Sequence, residues 1–307
     1  MKKIINQRLK GKKMNRTILF FVFGFSLLGE GMAHSAATVL PRVGYDVLQH
    51  DFIPGVGNKH RKQNALLNSN PPSSFTLEKY LPPIGNQGDV GSCVGWASAY
   101  YGMTIVKRIE NGPTAPAFSP WSVFNRYGHI YNKPPCSPGA EIDHCLEILK
   151  SKGCPAEKDY KIPYCAIDKN KTKYKDRLYS FSRVQTRSVI QIKSSIAANS
   201  PVVMGIKIFG GGLGNSMNSK FLDSNGIIKM DFFKDKKYAD GLHAMCIVGY
   251  DDAVGGGAFK IVNSWGKDWG KDGFCWLRYS DLNVLVSAYS MQPKPEGKTK
   301  KPARSAK

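Results

Sequence analysis

The stretch Gln87-Gly-Asp-Val-Gly-Ser-Cys93 places a cysteine directly after a glycine-rich turn and at the start of a predicted helix. Apolar side chains then recur every three or four residues over 93–109, and Asn111-Gly112-Pro113 ends the pattern, as expected for an amphipathic helix. A helix N-terminus carries N–H groups without intrahelical partners and a partial positive charge, which favour a thiolate. The position therefore suits a nucleophile, although a lone cysteine is more often a buried structural residue.

A thiolate nucleophile works with an imidazole partner. Six histidines are present, and His243 stands at the start of a strong strand-like run. Asn263-Ser-Trp-Gly266 follows twenty residues later at the end of another run. The two runs can pair as a hairpin around Gly255-Gly-Gly257, which would make His243 and Asn263 neighbours. An Asn side-chain oxygen can accept the imidazole N–H and fix the ring orientation, and Trp265 would shield that hydrogen bond from water.

These motifs resemble the papain-like cysteine peptidase family. In that family, a Gln lies six residues before the nucleophilic Cys of a Gly-Ser-Cys motif, a distant His precedes a strand, and Asn-Ser-Trp-Gly follows. Gln87, Cys93, His243 and Asn263 occur here in that order, and the resemblance covers residues 76–290.

The resemblance implies a role for each of these residues. Cys93 attacks the scissile carbonyl as a thiolate, His243 carries the proton to the leaving amine, and Asn263 orients His243. The Gln87 side chain and the Cys93 backbone N–H form the oxyanion hole, at about 2.7–4 kcal/mol per donor. No cofactor or metal is implied. Three further residues are expected at the substrate-binding side: Gly139, Ala244 and Trp265.

Two departures from the family pattern surround the nucleophile. Val94 stands where the family commonly has Trp, and the resulting Gly-Ser-Cys-Val is similar to bacterial members. Val90 replaces a family cysteine, so the disulfide made there cannot form. These changes bear on the shape of the substrate pocket.

The order of the elements predicts an α+β fold. Helices are predicted over 140–152 and 188–198 after the first one. Short strand-like runs separated by Gly, Asp and Asn follow: 202–208, 226–230, 243–251, 258–265 and 273–279. Helices before strands indicate a helical lobe and an antiparallel β-sheet or barrel lobe. The resemblance implies the papain-like arrangement, with the active-site cleft between the lobes.

The net charge of +21 is concentrated at the chain ends. Residues 1–37 hold seven basic residues and one acidic residue, and 293–307 hold six and one. Residues 76–292 hold 27 basic and 19 acidic residues. No arginine-rich helix or zinc-finger spacing accompanies this moderate charge, so a specific nucleic-acid partner is not expected.

Residues 1–37 have the pattern of a secretory signal peptide. A basic segment precedes the apolar run 18–28, and small residues lead to Ala37, which is typical of a cleaved leader. An N-terminal membrane anchor is the alternative. Cleavage would place the protein in an oxidising compartment, so we expect it to be secreted or periplasmic.

Three segments are predicted after the leader. Residues 38–75 form an N-terminal extension or a short pro-segment, which we hypothesise occupies the cleft. Residues 76–292 form the peptidase domain. Residues 293–307 form a disordered basic tail, which is a candidate for weak attachment to anionic surfaces.

The cysteines are compatible with disulfide formation. Four of the seven fall within 30 residues and allow three connectivities, of which we expect at least one bond: Cys136, Cys145, Cys154 and Cys165. Cys246 and Cys275 alternate with apolar residues and are either buried thiols or disulfide partners. No Cys-x2-Cys spacing supports zinc binding.

The sequence as a whole predicts a monomeric, secreted cysteine endopeptidase acting on peptide or protein substrates. One alternative is a Cys–His amidase acting on peptidoglycan cross-links, against which the Asn-Ser-Trp-Gly motif argues. Another is a catalytically silent papain-like binding module, against which the joint presence of Cys93, His243, Asn263 and Gln87 argues.

Overall fold

The computed structural model describes residues 70–136, 139–208, 222–230 and 241–295. The predicted signal peptide at 1–37 lies outside these residues. Five α-helical segments occur in the described part of the chain: α1 (Cys93–Gly95), α2 (Thr104–Asn111), α3 (Pro120–Ile130), α4 (Ile142–Ser151) and α5 (Val189–Ala197). Seven strands accompany them: β1 (Ser74–Thr76), β2 (Ser180–Arg183), β3 (Val202–Ile208), β4 (Gly241–Asp251), β5 (Ala258–Val262), β6 (Phe274–Arg278) and β7 (Leu285–Gln292).

The helix that begins at Cys93 runs through the centre of the core. Between α1 and α2 the segment Trp96–Met103 is wound as a π-helix, so 93–111 form one continuous element, called here the Cys93 helix. All eight residues of the π-helical segment are buried. The helix ends at Asn111 because Gly112 takes φ 97°, a conformation that favours glycine.

The strands form one antiparallel sheet in the order β2-β7-β3-β4-β5-β6, with β1 paired to β4. β4 is the longest strand, and its first half pairs with β3, where Ile206 lies opposite His243. β4 and β5 form the predicted hairpin, with the turn Val254–Gly256 between them. The sheet therefore holds His243 on a central strand beside the strand that leads to Asn263.

The α+β class is confirmed, and the predicted helices at 140–152 and 188–198 appear as α4 and α5. The strand predicted at 226–230 is wrong, because this segment makes only isolated bridges, one of them from Ile227 to Trp276. The strand predicted at 258–265 ends earlier, at Val262.

Four elements were not predicted from the sequence: α3, β1, β2 and β7. The start of α3 carries a local signal, since Ser119 caps it by accepting the Ser122 N–H and Pro120 occupies the first turn, both favourable at a helix start. β1 lies in the predicted extension, so the sheet includes Ser74 and Phe75. Among the described residues, none of the helices has the length and apolar character needed to span a membrane.

One disulfide joins Cys136 to Cys165, which confirms the expectation of a bond in this cluster and identifies the pair. Cys145 and Cys154 are buried thiols. Burial raises the pKa of Cys154 to about 12, so this thiol stays protonated at neutral pH. Cys246 and Cys275 are also buried and outside any disulfide.

A buried ion pair ties α3 to the loop that contains Cys165. Arg126 Nε donates to Asp168 Oδ2 at 3.1 Å, and the two side chains are 3% and 0% exposed. The Tyr160 hydroxyl donates to the same carboxylate oxygen at 3.2 Å, and the Arg126 guanidinium lies over the Tyr174 ring. Removing one partner of such a pair leaves an uncompensated buried charge.

We therefore expect Asp168→Ala to lower the free energy of unfolding by roughly 3–5 kcal/mol, measured by urea denaturation. The matched control is Glu147→Ala, which breaks the half-exposed pair with Lys150 and should cost less than about 1 kcal/mol. The double variant Arg126→Met/Asp168→Leu should recover most of the loss, because it removes both buried charges. Equal losses of unfolding free energy in Asp168→Ala and Glu147→Ala would contradict this account.

Candidate active site

Cys93 is the first residue of the Cys93 helix and is fully buried. The turn before it is held by the Ser92 N–H, which donates to Val90 O at 2.7 Å. The Cys93 Sγ accepts the Ala244 N–H of β4 at 3.4 Å. The sulfur therefore lies between the positive end of a helix and a backbone donor, directly beside the residue that follows His243.

His243 and Asn263 form a fully buried pair. The distance from His243 Nε2 to Asn263 Oδ1 is 2.7 Å. Because Oδ1 also accepts the Ser264 backbone N–H at 2.8 Å, it acts as an acceptor, so the neutral imidazole carries its proton on Nε2. The Trp265 ring packs 4.5 Å from the imidazole, between centroids, while its predicted role of shielding this hydrogen bond from water stays a prediction.

The second ring nitrogen of His243 is available for proton transfer. Nδ1 is buried and has no hydrogen-bond partner among the described residues. Burial lowers the pKa of His243 to about 4, while the Asn263 hydrogen bond acts in the opposite direction. A neutral imidazole with its lone pair on Nδ1 can accept a proton, and a thiolate formed nearby would favour the resulting imidazolium.

Gln87 is held by contacts at both ends of its side chain. Its Nε2 donates to Val90 O at 3.0 Å, and its Oε1 accepts the Ser264 hydroxyl at 2.7 Å. Its backbone N–H also donates to Ser264 O at 2.8 Å. These bonds determine which end of the amide carries the N–H groups. Sequence reasoning missed Ser264 as the partner of Gln87, although it lies inside the Asn-Ser-Trp-Gly motif.

The other predicted substrate residues also border this group. Gly139 takes φ 90°, and its N–H donates to Gly91 O at 3.2 Å, so it lies against the turn before Cys93. Ala244 is buried and presents its N–H to the Cys93 sulfur. The structure thus brings together all seven residues named from the sequence, while the substrate contacts of Gly139, Ala244 and Trp265 remain predictions.

One group of side chains could offer ligands to a metal ion. Single ligand atoms of Glu141, Asp143 and His144 lie within 4.8 Å of one another. His144 Nδ1 already contacts Glu141 Oε2 at 2.8 Å, and its ring stacks on Tyr131. These contacts account for the positions of Glu141 and His144 without an ion.

The low pKa of His243 predicts a pH-dependent stability in the Cys93→Ala variant, where no thiolate can form. The unfolded chain binds a proton near pH 6.5, whereas folded His243 does so only near pH 4. The unfolded state therefore holds more protons between these values, and stability falls as the pH falls through this window.

We expect a loss of up to about 3 kcal/mol on acidification through this window, measured by urea unfolding. NMR titration of the His243 ring in the same variant should give a pKa well below 6.5. Cys93→Ala/His243→Gln is the control and should lose this part of the pH dependence. A His243 pKa at or above 6.5 in Cys93→Ala would contradict the prediction.

Comparison with known proteins relates this chain to a protein family. The family model described as "Papain family cysteine protease" matches residues 72–292. A "Cathepsin L-like proteinase" of Phaedon cochleariae is 30% identical over 224 residues, which are 69% of this chain and 61% of that protein. A "Cathepsin L-like proteinase" of Fasciola hepatica is 25% identical over 200 residues, or 64% of this chain and 56% of that protein. The chain thus spans less than two thirds of either relative.

Solved structures show the same fold. Xylellain, a cysteine protease from Xylella fastidiosa, has a TM-score of 0.60 and 21% identity, and the match covers 84% of this chain and 100% of that one. Digestive procathepsin L 3 of Tenebrio molitor has a TM-score of 0.56 and 17% identity, covering 83% and 77%. The papain-like fold expected from the sequence is therefore confirmed. Because the family model extends over most of the chain, this protein belongs to the papain family of cysteine proteases.

Proposed function

We propose that this protein is a secreted cysteine endopeptidase that hydrolyses peptide bonds through Cys93, His243 and Asn263. The observation that carries the proposal is the buried His243–Asn263 hydrogen bond next to the Cys93 sulfur. It leaves the imidazole with one nitrogen fixed by Asn263 and the other able to accept a proton. Family membership supports the same chemistry.

In the first half of the reaction, His243 Nδ1 takes the proton from Cys93 Sγ, and the thiolate attacks the scissile carbonyl carbon. The carbonyl π electrons move to the oxygen, which becomes an oxyanion. When the tetrahedral intermediate collapses, the C–N bond breaks, and the imidazolium returns its proton to the leaving amine. An acyl-enzyme thioester remains.

In the second half, water attacks the thioester, and His243 accepts one of its protons. The C–S bond then breaks, and the proton returns to the sulfur. Through both halves, Asn263 Oδ1 holds the ring in one orientation.

The oxyanion of each tetrahedral intermediate is proposed to bind the Cys93 backbone N–H and the Gln87 amide. First-turn N–H groups of a helix have no intrahelical acceptor, which suits the backbone donor. The Ser264 hydroxyl supports the amide donor, since it occupies Gln87 Oε1 and keeps Nε2 on the Val90 side. Preorganised donors of this kind stabilise charge without reorganising during the reaction.

Export of the protein is part of the proposal. The basic and apolar pattern of residues 1–37 supports a cleaved signal peptide. The Cys136–Cys165 disulfide is consistent with an oxidising compartment outside the cytoplasm.

The central test replaces the nucleophile. We expect Cys93→Ala to lower kcat/KM for a peptide substrate by at least about 10³-fold and to abolish labelling by an epoxide-type thiol-peptidase probe. Gln87→Ala should lower kcat by about 10²–10³-fold through loss of one oxyanion donor. Cys275→Ala is the matched control, because it removes a buried thiol on β6 and should leave labelling unchanged.

Labelling of intact protein that survives Cys93→Ala would defeat the proposal, as would labelled protein that hydrolyses no peptide. The latter result would favour the silent binding module. Hydrolysis of peptidoglycan cross-links but not of proteins would favour the amidase.

The pro-segment hypothesis has its own test, designed around β1. A chain beginning at Asn70 keeps the pairing of Ser74–Thr76 with β4 and should be more active on peptides than a chain beginning at Thr38. A peptide of residues 38–69, added in trans, should inhibit the shorter chain. A chain beginning at Leu77 is the control for damage to the sheet and should unfold more easily. Equal activity of the Thr38 and Asn70 chains would refute the hypothesis.

A further inference from the structure

Tyr101 joins the two segments that flank the catalytic residues. It lies in the π-helical segment of the Cys93 helix and is 1% exposed. Its hydroxyl donates to the backbone carbonyl of Asn263 at 2.9 Å and accepts the Gly85 N–H at 3.0 Å. One buried phenol thus contacts the residue that orients His243 and the segment that leads to Gln87.

The two segments that Tyr101 joins also pair with each other. Gly85 O accepts the Gly266 N–H at 3.0 Å, and the Gln87 N–H donates to Ser264 O at 2.8 Å. Residues 85–87 therefore run beside 263–266, and the Tyr101 hydroxyl makes one hydrogen bond to each of these two segments. Displacement of either segment would move the Gln87 amide relative to the His243 ring.

The winding of the helix helps to direct this side chain. A π-helical turn holds more residues than an α-helical turn, so it changes the direction in which successive side chains point. Tyr100 and Tyr101, adjacent in sequence, both reach the segment before Gln87. The Tyr100 hydroxyl donates to Pro83 O at 2.9 Å, whereas only that of Tyr101 also contacts Asn263.

The Tyr101 hydroxyl can make both bonds because it stays neutral. Burial raises its pKa far above the ordinary value, although the Gly85 hydrogen bond acts in the opposite direction. A neutral phenol donates one hydrogen bond and accepts another, as the two contacts require.

We propose that Tyr101 is a positioning residue for catalysis, acting on the His243 ring through Asn263 and on the oxyanion donor through Gly85. This inference rests on the proposed function, because it assumes the roles given above to His243 and Gln87. Small displacements of groups that contact reacting atoms can cost up to about 100-fold in rate. Tyr101 itself touches none of those atoms.

The test compares Tyr101→Phe with Tyr100→Phe. Both variants remove one hydroxyl from the same buried helix. Tyr100→Phe loses one part-buried hydrogen bond and should cost about 1 kcal/mol of stability, whereas Tyr101→Phe leaves two buried partners unsatisfied and should cost about 1–3 kcal/mol, which urea unfolding checks. We expect Tyr101→Phe to lower kcat for peptide hydrolysis at least tenfold with KM unchanged, on the scale of known misplacement effects. Tyr100→Phe should stay within about twofold of the wild type, since it leaves the Asn263 contact intact.

A second readout does not depend on peptidase activity. The rate of Cys93 alkylation by iodoacetamide, followed against pH by mass spectrometry, reports on the Cys93–His243 pair. Tyr101→Phe should shift this pH profile, and Tyr100→Phe should not. Tyr101→p-aminophenylalanine, which returns a donor to the same place, should restore the wild-type profile and part of kcat, so the proposal can be judged even if the Phe variant folds poorly.

The outcomes separate the two proposals. Wild-type protein that hydrolyses no peptide, with an alkylation profile that shifts only in Tyr101→Phe, would end the proposed function but still show that Tyr101 positions the Cys93–His243 pair. Equal effects of the two Phe variants on kcat and on the profile would overturn that role, as would an unchanged profile in Tyr101→Phe.

Discussion

The hydrogen bond between His243 Nε2 and Asn263 Oδ1 is the constraint on which the rest of the site depends. It requires β4 and the residue after β5 to meet in a fixed register, which the antiparallel hairpin provides. It also requires exclusion of water, which the surrounding core provides. Since one ring nitrogen is fixed in this way, the sheet determines where the other nitrogen lies relative to the Cys93 helix.

Sequence reasoning identified the residues proposed here as catalytic because their signals are local. Cys93 follows a recognisable turn, and Asn263 belongs to a contiguous motif at the end of a strand. The residues that support them were beyond its reach, because their partners are distant in sequence. The Ser264–Gln87 bond joins positions 177 residues apart, and no spacing rule indicates it.

Similar physical reasons explain why α3, β2 and the pairing within the disulfide could not be predicted from the sequence. α3 carries several polar residues on its buried side, such as Arg126, which blur an amphipathic pattern until the partner Asp168 is known. β2 is four residues long, at the lower limit for a recognisable alternation. Among three possible connectivities, the pairing of Cys136 with Cys165 depends on where two loops end in space. Only the packed fold contains that information.

The polar side chains of His243 and Asn263 occupy buried positions where apolar side chains would make the fold more stable. Burying an imidazole or an amide is costly unless its polar atoms are hydrogen-bonded. The hydrogen bond between His243 and Asn263 satisfies one polar atom of each side chain. His243 Nδ1 and Asn263 Nδ2, however, have no hydrogen-bond partner among the described residues. Apolar side chains at these two positions would remove both unsatisfied atoms and leave the backbone hydrogen bonds of β4 and β5 intact. Buried polar atoms that lower stability without a compensating gain are typical of a functional site. The cost of this pair therefore favours a working catalyst over a silent binding module, which would need neither atom.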